Sequence, residues 1–170
     1  MLEITERIEG YTGTYSTSLT LPFDQRQKSR LRVILDNGSE ASLILNRGVV
    51  LRHGDLLRSA CGEVIEVRAS LESVSVVREP NSHLLSRACY HLGNRHVPLQ
   101  IGDGSLCYLH DHVLDDMVRS LGLVVEHQDA SFEPESGAYQ NDGNHHHTHE
   151  HKHLRVPFSE SQFIKVNASY

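Results

Sequence analysis

The sequence predicts an α+β chain: a small N-terminal β-sandwich or barrel, a ferredoxin-like βαββαβ unit, and a disordered His-rich tail. Three observations carry this prediction. Short alternating apolar runs separated by turn residues fill the first 74 positions. Two windows with helical spacing of apolar residues then alternate with strand-like runs. After about Phe132 the apolar pattern is lost.

In the first stretch, Met1 to Arg7 alternates polar with apolar residues. Leu31, Val33 and Leu35 alternate with Arg30, Arg32 and Ile34. Asp36-Asn37-Gly38 follows, and Asn-Gly favours a hairpin because both central residues must accept positive φ. Ala41, Leu43 and Leu45 return on the other side. Gly48, Gly54 and Gly62 then punctuate Val49-Val50-Leu51, Leu56-Leu57 and Val64-Ile65, which read as further strands. The basic run Arg26 to Arg32 reads as a solvated strand edge, with contact to an acidic partner as the alternative.

The second unit opens with the strand-like Val74, Val76 and Val77. Pro80, Asn81 and Ser82 announce a helix, whose face is Leu84, Leu85, Ala88, Cys89 and Leu92. Gly93 is positioned to end it in a left-handed cap. Val97 to Ile101 and Leu106 to Leu109 flank Gly102-Asp103-Gly104 as a hairpin. Asp111 is the N-cap expected for a second helix with the stripe Leu114, Met117, Val118 and Leu121, ending before Gly122. Leu123-Val124-Val125 is the expected last strand. The resulting division is 1–74 as an all-β domain, suited to binding a partner or peptide, 75–136 as the ferredoxin-like metal-binding domain, and 137–170 as the tail. In the tail only Val156-Pro157-Phe158 and Phe163-Ile164 offer apolar docking points.

Composition excludes several function classes. No apolar run reaches the roughly 20 residues a membrane helix needs. The formal charge of −6 argues against general nucleic-acid binding. The N-terminal stretch lacks a signal-peptide core, and the three widely spaced cysteines, Cys61, Cys89 and Cys107, make neither a disulfide framework nor a CxxC site. A cytoplasmic setting with small, buried, apolar-like cysteines is expected.

The histidines carry the chemistry. Of 13, six lie close together as His145, His146, His147, His149, His151 and His153. Neutral imidazole ligates Ni, Cu and Zn, and a flexible tract offers many overlapping donor sets. Thr148, Glu150 and Lys152 interrupt the run and residues 154–170 follow it, unlike a purification tag. His110 and His112 flank Asp111: at a strand end they would share a face and a metal, whereas with Asp111 as a cap His112 falls in the first helical turn. His91 suits the C-terminal end of its helix, and His96 follows just beyond. His53, His83 and His127 stand without ligand-type company. A metal-dependent hydrolase using His91, His96, His110 and His112 lacks any HExxH-like motif.

Several segments together resemble one family. They are Arg26-Gln27-Lys28-Ser29-Arg30, Leu45-Asn46-Arg47-Gly48, Gly54-Asp55-Leu56-Leu57, Tyr90 through Leu99 with its Gly93-Asn94-Arg95-His96, His110 through Met117, and Phe132-Glu133-Pro134-Glu135. The chain resembles the UreE family of urease accessory proteins, which are nickel metallochaperones. The resemblance implies a non-enzymatic homodimer in which His96 meets its mate to hold one Ni(II). It implies a second metal site at His110 and His112 and a nickel-binding tail. It also implies delivery to the urease apoprotein assembled with other accessory proteins, including a GTPase. Cu(II) and Zn(II) are expected to bind the same imidazoles, copper at least as tightly as nickel. The alternative is a cytoplasmic store or buffer for divalent metal without a dedicated client.

Overall fold

The computed structural model describes residues 1–136. Two lobes follow one another along the chain. The first lobe holds β1 (Leu2–Ile8), β2 (Thr17–Leu21), the short α1 (Phe23–Arg26), β3 (Arg30–Ile34), β4 (Glu40–Ile44), β5 (Leu56–Ser59) and β6 (Val64–Ala69). Its strands form one six-stranded sheet in the order β2-β6-β5-β1-β4-β3, with β1·β4 and β2·β6 parallel. Asp36 brings the two edges together. Its backbone N–H donates to Ser18 O at 2.9 Å, and its carboxylate accepts from Ser18 Oγ at 2.5 Å and from Thr20 Oγ1 at 2.8 Å. The sheet is thereby nearly closed into a barrel. Ile4, Leu19, Leu43, Leu51, Leu57, Ile65 and Val67 fill the inside, all essentially without solvent contact.

The predicted Asn-Gly hairpin is present between β3 and β4, with Gly38 at φ +86°. Val49 to Leu51 form no strand. Leu51 is instead a buried plug whose N–H donates to Arg26 O and whose carbonyl accepts from the Arg26 guanidinium. Arg26 itself departs from the expected solvated edge: it is fully buried. Its side chain donates to the carbonyls of Leu21, Leu51 and Phe132 and pairs with Glu133. The short helix α1 turns it inward. Four backbone or carboxylate acceptors replace the water a guanidinium loses on burial.

The second lobe holds β7 (Leu71–Arg78), α2 (Ser82–Gly93), β8 (Gln100–Gly102), β9 (Ser105–Leu109), α3 (His112–Ser120) and β10 (Glu126–Ser131). The strand order β10-β7-β9-β8, antiparallel throughout, is the ferredoxin-like arrangement. Asn81, one of the two capping candidates beside Ser82, caps α2, and Asp111 caps α3 as predicted, each side chain accepting from two backbone N–H groups. Leu85, Ala88, Leu92, Tyr108 and Val118 form the core between helices and sheet. The last strand lies later than predicted. Leu123 tucks into the helical core after Gly122, at φ +90°, while the polar Glu126–Ser131 pairs along β7 over six residues. It is an edge strand, so backbone pairing rather than apolar alternation defines it.

The lobes meet through Phe23, Val74, Val76 and Phe132, with the two phenyl rings edge-to-face at 5.5 Å. Beyond β10 the chain passes over this junction. Glu133 accepts from the His53 backbone and bridges to Arg52, and Arg52 also donates to Pro134 O at 2.6 Å. Of the cysteines, Cys61 is exposed rather than buried, and Cys89 and Cys107 are half-buried free thiols. Among the described residues, no helix is long and apolar enough to cross a membrane. The tail histidines and the two apolar tail segments lie outside the described residues.

Candidate metal centre

The second lobe gathers its polar chemistry at one corner of its helix-covered sheet face. Ser75 on β7 stands directly opposite His127 on β10 and Tyr108 on β9. Directly paired residues present their side chains to the same face, so the register alone brings these three together. His110 follows Tyr108 by two residues and remains bonded to the sheet through its N–H to Ser73 O. From above, α3 lowers Asp115, which is fully buried.

Asp115 is the hub. Its Oδ1 accepts from the Tyr108 hydroxyl at 2.8 Å. Its Oδ2 lies 2.6 Å from His127 Nε2 and 3.2 Å from His110 Nδ1. The two imidazole rings are 4.2 Å apart, centre to centre. Ser75 Oγ lies 3.2 Å from His110 Nδ1. Burial pushes the Asp115 carboxyl pKa upward, but hydrogen bonds from Ser75, Tyr108 and His127 outweigh it and hold the group below its ordinary value. The carboxylate is therefore ionised at neutral pH. Burial, and then the same carboxylate, drive the Tyr108 phenol the other way, well above its usual range. Tyr108 thus remains a donor. The donor atoms of His110, Asp115 and His127 lie within 4.8 Å of one another. No other such group of three or more occurs among the described residues.

His112 is not drawn into this group. It begins α3, and the Asp111 carboxylate caps that helix through Val113 N and Leu114 N. Asp111 is itself extended, at φ −148° and ψ 120°, and the helix begins at the next residue. The donor group His110, Asp115 and His127 does not include His112. His112 is exposed and makes no side-chain hydrogen bond among the described residues.

His96 occupies a different kind of place. The helix α2 ends in a Schellman turn: Val97 N–H donates to Leu92 O and His96 N–H to Gly93 O. The left-handed residue of that turn is His96, at φ +58°, and not Gly93 as predicted. His96 is the one non-glycine residue with positive φ among those described. It is exposed, and its ring has no hydrogen-bond partner among the described residues. A side chain held in this conformation stores roughly 1–2 kcal/mol of backbone strain.

The remaining histidines have ordinary surroundings, with one exception. His53 Nδ1 accepts from Ala69 N at 3.3 Å. His83 is exposed in the first turn of α2, and His91 packs against the Tyr90 ring. His127, expected to stand alone, belongs to the Asp115 group. The sequence concealed it because no apolar pattern marks its strand. Asp115 carried a faint signal: it shares a helix face with the buried Val118, three residues on.

Comparison with known proteins gives both lobes a family. The model for the UreE urease accessory protein N-terminal domain matches residues 4–70, and that for its C-terminal domain matches residues 72–154. The chain belongs to the UreE family. It is 58% identical over 141 residues to a urease accessory protein UreE of Pseudomonas putida strain W619, covering 82% of this chain and 87% of that protein. A urease accessory protein UreE of Citrobacter koseri is 54% identical over 153 residues, 89% of this chain and all of the relative. One of Escherichia coli O157:H7 is 52% identical over 155 residues, 90% of this chain and all of the relative. Membership places the chain among urease accessory proteins rather than among catalytic ureases. Metal binding and contact with the urease maturation machinery follow at that level from the family.

Proposed function

We propose that this protein is a cytoplasmic nickel metallochaperone that delivers Ni(II) during assembly of the urease metallocentre. It works as a homodimer in which the two His96 side chains hold one ion. The observation that carries the reading is His96 itself. In a chain of this family, an exposed imidazole without a hydrogen-bond partner among the described residues occupies a left-handed position where glycine is the ordinary residue. Backbone strain kept at an exposed donor is the signature of a functional constraint. A two-fold pair of such imidazoles makes a site that exists only in the dimer and leaves open positions for further ligands. Nitrogen ligands with solvent access suit transfer better than thiolates, which hold soft ions tightly.

In this reading residues 1–74 dock partners, 75–136 carry the structured metal sites, and 137–170 gather ions through His145, His146, His147, His149, His151 and His153. The partners are the urease apoprotein and its other accessory proteins, including a GTPase. Cu(II) and Zn(II) bind the same donors, and availability and partner recognition decide for nickel.

The test is a nickel titration of the intact chain, of His96→Ala and of a chain lacking 141–170, with oligomeric state measured alongside. His96→Ala loses the tightest site, and the truncation loses ions but not that site. Unchanged tight binding in His96→Ala ends the assignment. Failure to stimulate urease activation in a reconstituted system, with nickel still bound, leaves a metal buffer instead of a chaperone.

A further inference from the structure

We propose that His110 Nδ1, Asp115 Oδ2 and His127 Nε2 form a binding site within one subunit for a divalent ion of the Ni, Cu and Zn class, with His112 outside the ligand set. The inference does not depend on delivery, since a chaperone and a buffer would use the site alike.

The donor set comes first. Two imidazole nitrogens and one carboxylate oxygen suit borderline first-row ions. Two neutral imidazoles and one carboxylate carry a single negative charge, which a divalent cation more than balances. The spacing agrees. Donors about 2.0–2.2 Å from an ion lie about 3–3.5 Å from each other in tetrahedral or octahedral sites. Of the two distances to Asp115 Oδ2, 3.2 Å falls within this range and 2.6 Å lies just below it. The three atoms already lie within 4.8 Å of one another. Rotation of the two rings about their side-chain bonds would bring all three donors to such separations. Metal binding replaces the hydrogen bond between His127 Nε2 and Asp115, so that ring nitrogen must give up its proton to the outward nitrogen or to water.

The surroundings are those of a prepared ligand set. The Tyr108 hydroxyl fixes the far oxygen of Asp115, leaving Oδ2 aimed at the two rings. Asp115 sits on a helix and the other two on or beside the sheet, so the donors do not depend on a loop for their placement. The imidazoles are partly open to solvent, with 35% and 47% of their side chains exposed, while the carboxylate is buried. An ion can enter from outside and keep positions free for water or for a receiving ligand. One group opposes it: Arg119 Nη2 lies 3.9 Å from Asp115 Oδ2, although Arg119 bonds more closely to Asp116.

The experiment uses the full chain and counts bound Ni²⁺ by equilibrium dialysis against the metal alone. His127→Gln keeps an N–H donor for Asp115 but removes the imidazole. It is expected to lose one ion per chain with an unchanged melting temperature, whereas His112→Ala loses none. Arg119→Gln, which leaves every donor in place, should tighten this site by about three-fold. In a parallel Zn²⁺ titration, the ring nitrogens of His110 and His127 should shift together in ¹⁵N spectra. If His112→Ala loses the ion and His127→Gln does not, the ligands are the His110–His112 pair and the proposal fails. If neither variant loses an ion and neither ring shifts, the group is a hydrogen-bonded cluster only, and it fails equally. His96→Ala, run beside these, reports on the nickel-delivery reading separately, because it leaves the Asp115 group intact.

Discussion

The two lobes use their hydrogen-bonded charged groups in opposite ways: Arg26 and Asp115 are buried, while Asp36 is exposed. In the first, Arg26 and Asp36 hold structure: one ties three carbonyls and a carboxylate at the junction, the other closes the barrel. Among the described residues, neither hydrogen-bonds to a histidine ring. In the second, the buried Asp115 holds two imidazoles at the surface. The comparison teaches that burial of charge is not by itself a sign of a site. What distinguishes the second lobe is convergence on donors that remain open to solvent. Substitutions in the first lobe should therefore cost stability and spare metal, and those in the second should cost metal out of proportion to stability.

Arg26→Ala is the largest expected effect. It leaves Glu133 without its closest partner and strips side-chain donors from the carbonyls of Leu21, Leu51 and Phe132. A loss of about 3–5 kcal/mol is expected by urea denaturation, with the nickel count of the folded protein unchanged. A lost ion in Arg26→Ala would show that the junction and the metal sites are coupled, and the contrast between lobes would break.

Asp115→Asn is next. The change keeps the shape but removes the charge and places an amide against two imidazoles and a phenol. About 1–3 kcal/mol is expected, together with loss of the ion assigned to His110, Asp115 and His127. Equal loss of stability with full metal retention would make Asp115 a structural acid like Asp36.

How far these differences could be read from sequence depends on range. Local chemistry was legible: the Asn37-Gly38 turn, the caps Asn81 and Asp111, and the stripe ending at Leu121 each act within a few residues. Pairings across the chain were not. Nothing near Arg26 announces that Phe132 and Glu133 will receive it over a hundred positions later. His127 lies on a strand of polar residues whose identity comes from β7, so only the register reveals its neighbours. His96 was legible as a residue through family likeness, but its left-handed backbone was not, because Gly93 is the more obvious end of the helix.

Asp36 sharpens the comparison through pH. Burial raises its pKa, but hydrogen bonds from the side chains of Ser18 and Thr20 and from the Thr20 backbone prevail and lower it, with help from Arg68. A depressed carboxyl stabilises the fold above its unfolded value near 3.9 and loses that contribution as pH falls through the lower folded value. Asp36→Asn should cost about 1 kcal/mol at neutral pH and flatten the acid side of the stability profile. Metal-free protein is the material for this measurement, so that ligand protonation does not enter. An acid limb identical to that of the parent would show that the barrel closure does not depend on the ionised carboxylate.

His96→Gly is expected to change stability least and is the most informative about function. Glycine removes the strain of the left-handed position, worth about 1–2 kcal/mol, but gives the unfolded chain more freedom, which offsets about 0.4–1 kcal/mol. The net result is a gain of about 0–1.6 kcal/mol, centred near 1 kcal/mol. His96→Ala keeps the strain and gains nothing. Both lose the imidazole, so both should lose the tightest nickel site. A variant that melts slightly higher yet no longer holds that ion separates the two demands at this position: the fold of the turn prefers glycine, and only the donor requires histidine. If His96→Gly instead melts lower, the imidazole contributes to the fold, and the strain at this turn is no longer a sign of function.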